Sequence, residues 1–162
     1  MAKEYVSALA LDIGRKRIGV AGCDRLGMLV TELPTLQNRS FTTTVEALNS
    51  LVQQRQVNIL IVGLPYTLGG ELGRQAQWIK SFAEKLSAVL QLPVEYVDER
   101  LTSFQAEQML QAEGVTLSRR NKELIDQKAA AIILQQWLDQ RARQLPTNVQ
   151  VSSTEPVTGD PE

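Results

Sequence analysis

YVSALALDI, residues 5–13, is apolar almost without a break until Asp12. Such a run reads as a central strand buried on both faces. Gly14 to Lys16 make a turn, Ile18-Gly19-Val20-Ala21 resume strand character, and Asp24 to Gly27 form a second turn. Met28 to Leu33 make a third strand, which Pro34 is expected to stop. The first 33 residues therefore read as an antiparallel meander.

Beyond the meander the period changes. Val45, Leu48, Leu51 and Val52 recur at helical spacing. VNILIV (57–62) is a short buried strand that Gly63-Leu64-Pro65 should end, and a glycine-containing loop from Thr67 to Gly73 follows. Ala76, Ile79, Ala83, Leu86 and Leu90 mark an amphipathic helix, and Pro93 opens a fifth strand, 94–98. Thr102 and Gln105 have capping-box spacing before a helix bearing Ala106, Met109 and Leu110, which Gly114 closes. The last helix runs from about Asn121 to Arg141 with Ile125, Ala129, Ile132, Ile133 and Trp137 on its buried stripe. Trp78 and Trp137 both have apolar helical neighbours and are assigned to packing. The order β-β-β-α-β-α-β-α-α implies an α/β fold, a mixed five-stranded sheet flanked by helices. Residues 1–145 form one domain, and 146–162 (PTNVQVSSTEPVTGDPE) read as a disordered polar tail.

Composition narrows the chemistry by what it lacks. The chain has 162 residues and no histidine. That removes Ser-His-Asp and Cys-His catalysis, His-ligated zinc and a histidine general base. The single cysteine, Cys23, excludes an internal disulfide and a Cys-rich zinc site. No apolar run approaches the roughly 18–20 residues of a membrane span, and the N-terminus lacks a signal-peptide layout. The expectation is a cytoplasmic protein with no membrane partner. The formal net charge of −1 hides an asymmetry: the tail holds Glu155, Asp160 and Glu162 and no basic residue, so residues 1–145 carry 17 basic against 15 acidic residues. That weak bias neither demands nor excludes nucleic acid.

Three acidic positions stand out. Asp12 terminates an otherwise apolar central strand, where an unpaired charge costs on the order of several kcal/mol. Gly14 and Arg15-Lys16-Arg17 follow it, a turn that a phosphate could approach closely. The plain alternative is a turn-initiating Asp paired with a nearby Arg. Asp98-Glu99-Arg100 end the fifth strand, where open α/β sheets usually bind ligands; the plain alternative is a cap with a surface ion pair. Asp126 lies early in the last helix, where an acid also complements the helix dipole. Ala129-Ala130-Ala131 follow it, small enough to let that helix press on the sheet. Two carboxylates ~4 Å apart repel by about 4 kcal/mol at an effective dielectric near 20. A divalent cation removes that repulsion, and an all-oxygen site suits Mg²⁺ or Mn²⁺. Such ions activate water and stabilise the leaving oxygen in phosphodiester cleavage. Lys16, Arg17, Arg100, Arg119, Arg120 and Lys122 would then contact the nucleic-acid backbone, although each arginine singly reads better as ordinary solvated surface.

LALDIGRKRIGVA (9–21), IVGLP (61–65), VDERLTSFQAE (97–107) and the segment from Lys122 through IDQKAAAIILQQWLD to residue 139 resemble the YqgF (RuvX-type) family across roughly residues 5–140. Its members are described as Holliday-junction-resolvase-like proteins and as pre-16S rRNA nucleases. The resemblance implies an RNase H-like fold, hydrolase chemistry on nucleic-acid esters, a divalent metal, and a role in 5′-end maturation of 16S rRNA and so in ribosome biogenesis. Carried over by motif, Asp12, Glu99 and Asp126 are catalytic and metal-holding, with Asp98 a further candidate ligand. In related junction resolvases the second acid comes from the fourth strand, which here carries Gly63. Gly22-Cys23 also departs from the Ala/Ser-Ser usual there, with little consequence expected.

Three rivals remain. A true junction resolvase would act as a dimer on branched DNA; the expectation here is a monomer or weak homodimer acting on structured RNA. Asp-x-Gly before a basic turn also resembles actin-like ATPases, but those need two such domains and no Walker A or GxGxxG pattern occurs. A non-catalytic nucleic-acid-binding regulator would keep the basic residues and tolerate Asp12→Asn.

Overall fold

The computed structural model describes residues 6–66, 69–99, 102–115 and 121–144. The element order is β1 (Ala8–Ile13), β2 (Arg17–Cys23), β3 (Val30–Gln37), α1 (Phe41–Arg55), β4 (Ile59–Leu64), α2 (Arg74–Leu90), β5 (Val94–Asp98), α3 (Thr102–Ala112) and α4 (Lys122–Gln144). The strands form one sheet in the order β3-β2-β1-β4-β5. β1, β2 and β3 pair antiparallel, while β4 and β5 add parallel to β1. The expected mixed five-stranded sheet is the observed one. The proposed tail, 146–162, lies outside the described residues.

Alternation along β1 builds two unlike cores. Leu9, Leu11 and Ile13 point to the face covered by α1 and α2, where Leu48, Val52, Ile79 and Leu86 meet them. Ala8 and Ala10 point the other way, toward Ile133, Leu134 and Trp137 of α4. β2 repeats the division, with Ile18 and Val20 on the first face and Ala21 and Cys23 on the second.

Two strand boundaries differ from expectation. β3 runs through Pro34 to Gln37. It is an edge strand, and its register on β2 shifts between Leu33↔Val20 and Leu36↔Ile18, so Pro34 falls at a bulge where its missing N–H breaks no ladder. β4 likewise continues through Gly63 and Leu64, which pair with Val97 and Asp98 of β5. Gly114 does close α3: its φ is +87°, and Val115 N–H donates to Leu110 O at 2.9 Å. The Thr102 half of the expected capping box lies outside the described side chains.

The β1–β2 turn is braced from the side. Asn38 N–H donates to Lys16 O and Asn38 Nδ2 to Gly14 O, both at 2.8 Å. Thr44 of α1 holds the Asn38 Oδ1 in turn at 3.2 Å. Gly22 also has a consequence the sequence reading did not anticipate. A Cβ there would stand 2.6 Å from Arg55 Nε, so the glycine makes room for the end of α1.

Candidate active site

Asp12 continues the row of Ala8 and Ala10 and so faces α4, one residue before β1 ends. On β4, Ile61 faces α4 and Gly63 is the next position in that row; on β5, Val97 is followed in the same row by Glu99. Three adjacent strands therefore deliver Asp12, Gly63 and Glu99 to one face at their C-terminal ends. Glu99 N–H donates to Leu64 O at 3.0 Å, which extends the β4–β5 register past the last strand residue. A Cβ on Gly63 would lie 2.8 Å from Glu99 Oε2 and 2.6 Å from Ile133 Cδ1. The Glu99 carboxyl thus fills the space over β4 that a side chain at position 63 would take.

Asp12 and Glu99 are hydrogen-bonded to each other. Burial pushes the Glu99 carboxyl up to about 9, and the Asp12 charge and hydrogen bond, then the Asp98 charge, push the same way. Burial also raises Asp12, to about 6, with the Asp126 charge adding to it and the bond from Glu99 opposing. Both carboxyls are thus held above their ordinary range, and each opposes ionisation of the other.

Asp126 comes from α4. Its Oδ2 accepts from Arg17 Nε at 2.8 Å, in a pair whose side chains are mostly buried. The helix can lie this close because β2 offers no side chain at the contact: a Cβ on Gly19, the partner of Asp12 across the ladder, would collide with the Asp126 carbonyl oxygen. The small residues of α4 contribute from the other side, with Ala129 and Ala130 buried.

Asp12 therefore stands between two acids, bonded to Glu99 and within electrostatic reach of Asp126. Among the described residues no group of three or more Asp, Glu or Cys side chains stands close enough together to hold a metal ion as placed. Asp126 is instead turned to Arg17. Asp98 falls on the opposite face of β5 from Val97 and Glu99; it is exposed and reaches the pair through its charge. Lys16 and Lys122 are exposed, whereas Arg17 is half-buried and committed to Asp126. Arg100, Arg119 and Arg120 lie outside the described residues. The sequence reading missed Gly19 and the spatial meaning of Gly63; the signal was a glycine in each strand flanking the acid-bearing one.

The profile of the RuvX family, described as a Holliday junction resolvase, matches residues 6–140. The chain belongs to the RuvX family. Among its relatives, a protein of Trichormus variabilis is 57% identical over 148 residues, covering 91% of this chain and 97% of the relative. One of Thermosynechococcus vestitus is 57% identical over 138 residues, covering 85% and 91%. Both carry the description "Putative pre-16S rRNA nuclease". In shape, this RuvX chain is similar to Thermus thermophilus RuvC in complex with a Holliday junction substrate, with TM-score 0.55, 14% identity, and coverage of 86% of this chain and 98% of that one. It is similar also to the yeast mitochondrial Holliday junction resolvase Ydc2, with TM-score 0.54, 10% identity, and coverage of 88% and 82%. These likenesses make the fold RNase H-like.

Proposed function

We propose that this RuvX chain is a divalent-metal-dependent nuclease that trims the 5′ end of pre-16S rRNA in the cytoplasm, with Asp12, Glu99 and Asp126 holding the metal. Nuclease chemistry is supported by the family match and by the names of relatives at 57% identity. The observation that carries the site is the convergence of two half-buried carboxyls, Asp12 and Glu99, from neighbouring strand ends on one face of the sheet, with Asp126 within electrostatic reach of Asp12. Asp12 and Glu99 cannot both ionise in that setting without a compensating cation. An all-carboxylate oxygen set suits a hard ion, Mg²⁺ or Mn²⁺. When bound, the ion supplies an activated water and a Lewis acid for the phosphoryl and leaving oxygens.

The chain's own residues do the rest. Asp12 and Glu99 would both have to be ionised to hold the cation, so metal affinity should rise with pH. Asp126, paired with Arg17 and within electrostatic reach of Asp12, would be the third ligand. Ile133, packed over Gly63, closes the apolar side of the cluster against water. Lys16 and Lys122, both exposed, would be the phosphate contacts.

The test is cleavage of a pre-16S leader RNA with Mg²⁺ or Mn²⁺ and with EDTA, using the parent chain and Asp12→Asn. Cleavage that is abolished by chelation and falls at least about 100-fold in the variant is expected. Undiminished cleavage by Asp12→Asn would remove the proposed centre. The family description and the RuvC likeness favour one second reading, branched DNA as substrate. A four-way junction assayed in parallel separates the two.

A further inference from the structure

Trp78 does more than fill space. The Arg15 guanidinium lies over its ring, with Cζ 4.5 Å from the centroid. Trp78 is itself fixed from below, stacked at a tilt on Phe82 at 5.5 Å, and Phe82 meets Phe41 edge-on at 5.8 Å. The backbone that carries Arg15 is equally fixed, by Gly14 N–H to Arg17 O at 2.9 Å and by the two Asn38 bonds. An exposed arginine normally samples many rotamers; this one rests against an aromatic ring.

The surroundings share its charge. Lys16 is next in the turn, Arg39 follows the Asn38 brace, and Arg74 lies one helical turn before Trp78 on α2. All four cations are exposed, and the structure records no ion pair for any of them among the described residues. They come from three separate segments that the Asn38 brace and the Arg15–Trp78 contact tie to the turn after β1.

We propose that Arg15, held against Trp78, is a nucleic-acid subsite. Its N–H edge takes a backbone phosphate of a single-stranded RNA segment, and its outer plane takes a stacked base. An unpaired guanidinium offers five donors in a fixed fork, and its plane stacks on bases as aromatic rings do. Pre-ordering by Trp78 lowers the entropy lost on binding. The subsite rests on the nuclease reading and names where the strand is gripped.

The test is binding of a fluorescein-labelled oligouridylate to the full chain in EDTA, by anisotropy at several salt concentrations. Arg15→Ala should weaken binding about tenfold and make the log–log salt slope shallower by about 0.7, one phosphate on a single strand. Arg15→Lys should restore the slope but not the affinity, because an ammonium has no plane to stack. Trp78→Leu should weaken binding about threefold with the slope kept. In a Trp137→Phe chain, where Trp78 is the remaining tryptophan, the oligouridylate should change its emission. Unchanged affinity in Arg15→Ala overturns the subsite, as does failure of the parent chain to bind. If Trp78→Leu does not fold, the two Arg15 variants decide alone, since that side chain is exposed. The outcomes separate from those for the nuclease centre. RNA that Arg15→Ala binds and cuts like the parent removes only the subsite, whereas RNA cut equally by Asp12→Asn removes only the centre.

Discussion

The two faces of the sheet are made from the same strands and packed by opposite rules. Toward α1 and α2 the strands present Leu9, Leu11, Ile18, Val20, Leu60 and Val62, and the helices stand off at the distance these demand. Toward α4 they present Ala8, Ala10, Gly19, Ala21 and Gly63 beside Ile61 and Val97, and at Gly19 the helix backbone comes down almost onto the sheet. The first face supplies apolar burial. The second gives up side-chain volume so that a carboxylate from a helix can stand beside carboxylates from two strand ends. What α4 loses in area it regains as position.

The sharpest way to break the comparison is to truncate the large-residue face. Leu11→Ala should cost about 2–5 kcal/mol in urea unfolding, since Leu11 is fully buried. Cleavage per folded molecule should stay near the parent value. Gly19→Ala inverts the pattern. It adds one methyl against a helix carbonyl that cannot rotate away, so about 3 kcal/mol is expected, with metal affinity falling too because Asp126 is pushed out. Gly63→Ala should cost less, about 1 kcal/mol, because it meets the tips of Ile133 and Glu99, which can yield. A Gly19→Ala chain as stable and as metal-avid as the parent would mean that close helix approach has no bearing on the centre.

Much of this was readable without coordinates, and the reasons for the exceptions are physical. Strand and helix identities follow from periodicity, and Asp12 announced itself as a charge in an apolar strand. The face it points to was also implicit, since Ala8 and Ala10 share its parity. Pro34 misled because a proline stops a central strand but not an edge strand at a bulge, and edge status depends on the whole sheet order. Gly63 looked like a terminator and is instead a strand residue emptied for a neighbour's carboxyl. The Arg17–Asp126 pair spans 109 positions, and no local pattern encodes a partner that distant. Arg17 was read as a phosphate contact from its neighbours in the turn, but alternation along β2 turns it inward. Arg15, which that reading passed over, is the one left outside.

The pH response should expose the cost of the small-residue face. Asp12 and Glu99 both titrate higher in the folded chain than their ordinary 3.8 and 4.5, at about 6 and about 9. The folded state therefore binds more protons than the unfolded state across this window, and metal-free stability falls as pH rises from about 4 to about 9. Thermal melts in EDTA should show a decline of several degrees across that range, flattened in Glu99→Gln. Excess Mg²⁺ should raise the melting temperature more at about pH 8 than at about pH 5, because at the higher pH the ion displaces less proton. A metal-free melting temperature that climbs through this window would contradict two carboxyls held above their ordinary range.

The smallest effect belongs to Arg17, and its sign is the informative part. Its guanidinium is the only positive group recorded on any of the three acids among the described residues, 2.8 Å from Asp126. It neutralises Asp126 and occupies one of its carboxylate oxygens. Removing the pair costs little in itself, about 1 kcal/mol or less for a partly exposed bridge. Arg17→Ala should therefore lower metal-free stability slightly, as Asp126 is left to repel Asp12 across the gap. The same change frees Asp126 for a cation, so Mg²⁺ should bind the variant more tightly, by a few-fold in calorimetry, and the stability deficit should vanish when the ion is present. If Arg17 instead stays on Asp126 in the loaded protein and orients it, the variant should bind Mg²⁺ more weakly. The direction of that one shift decides whether the guanidinium is a stand-in for the ion or a permanent support of its ligand.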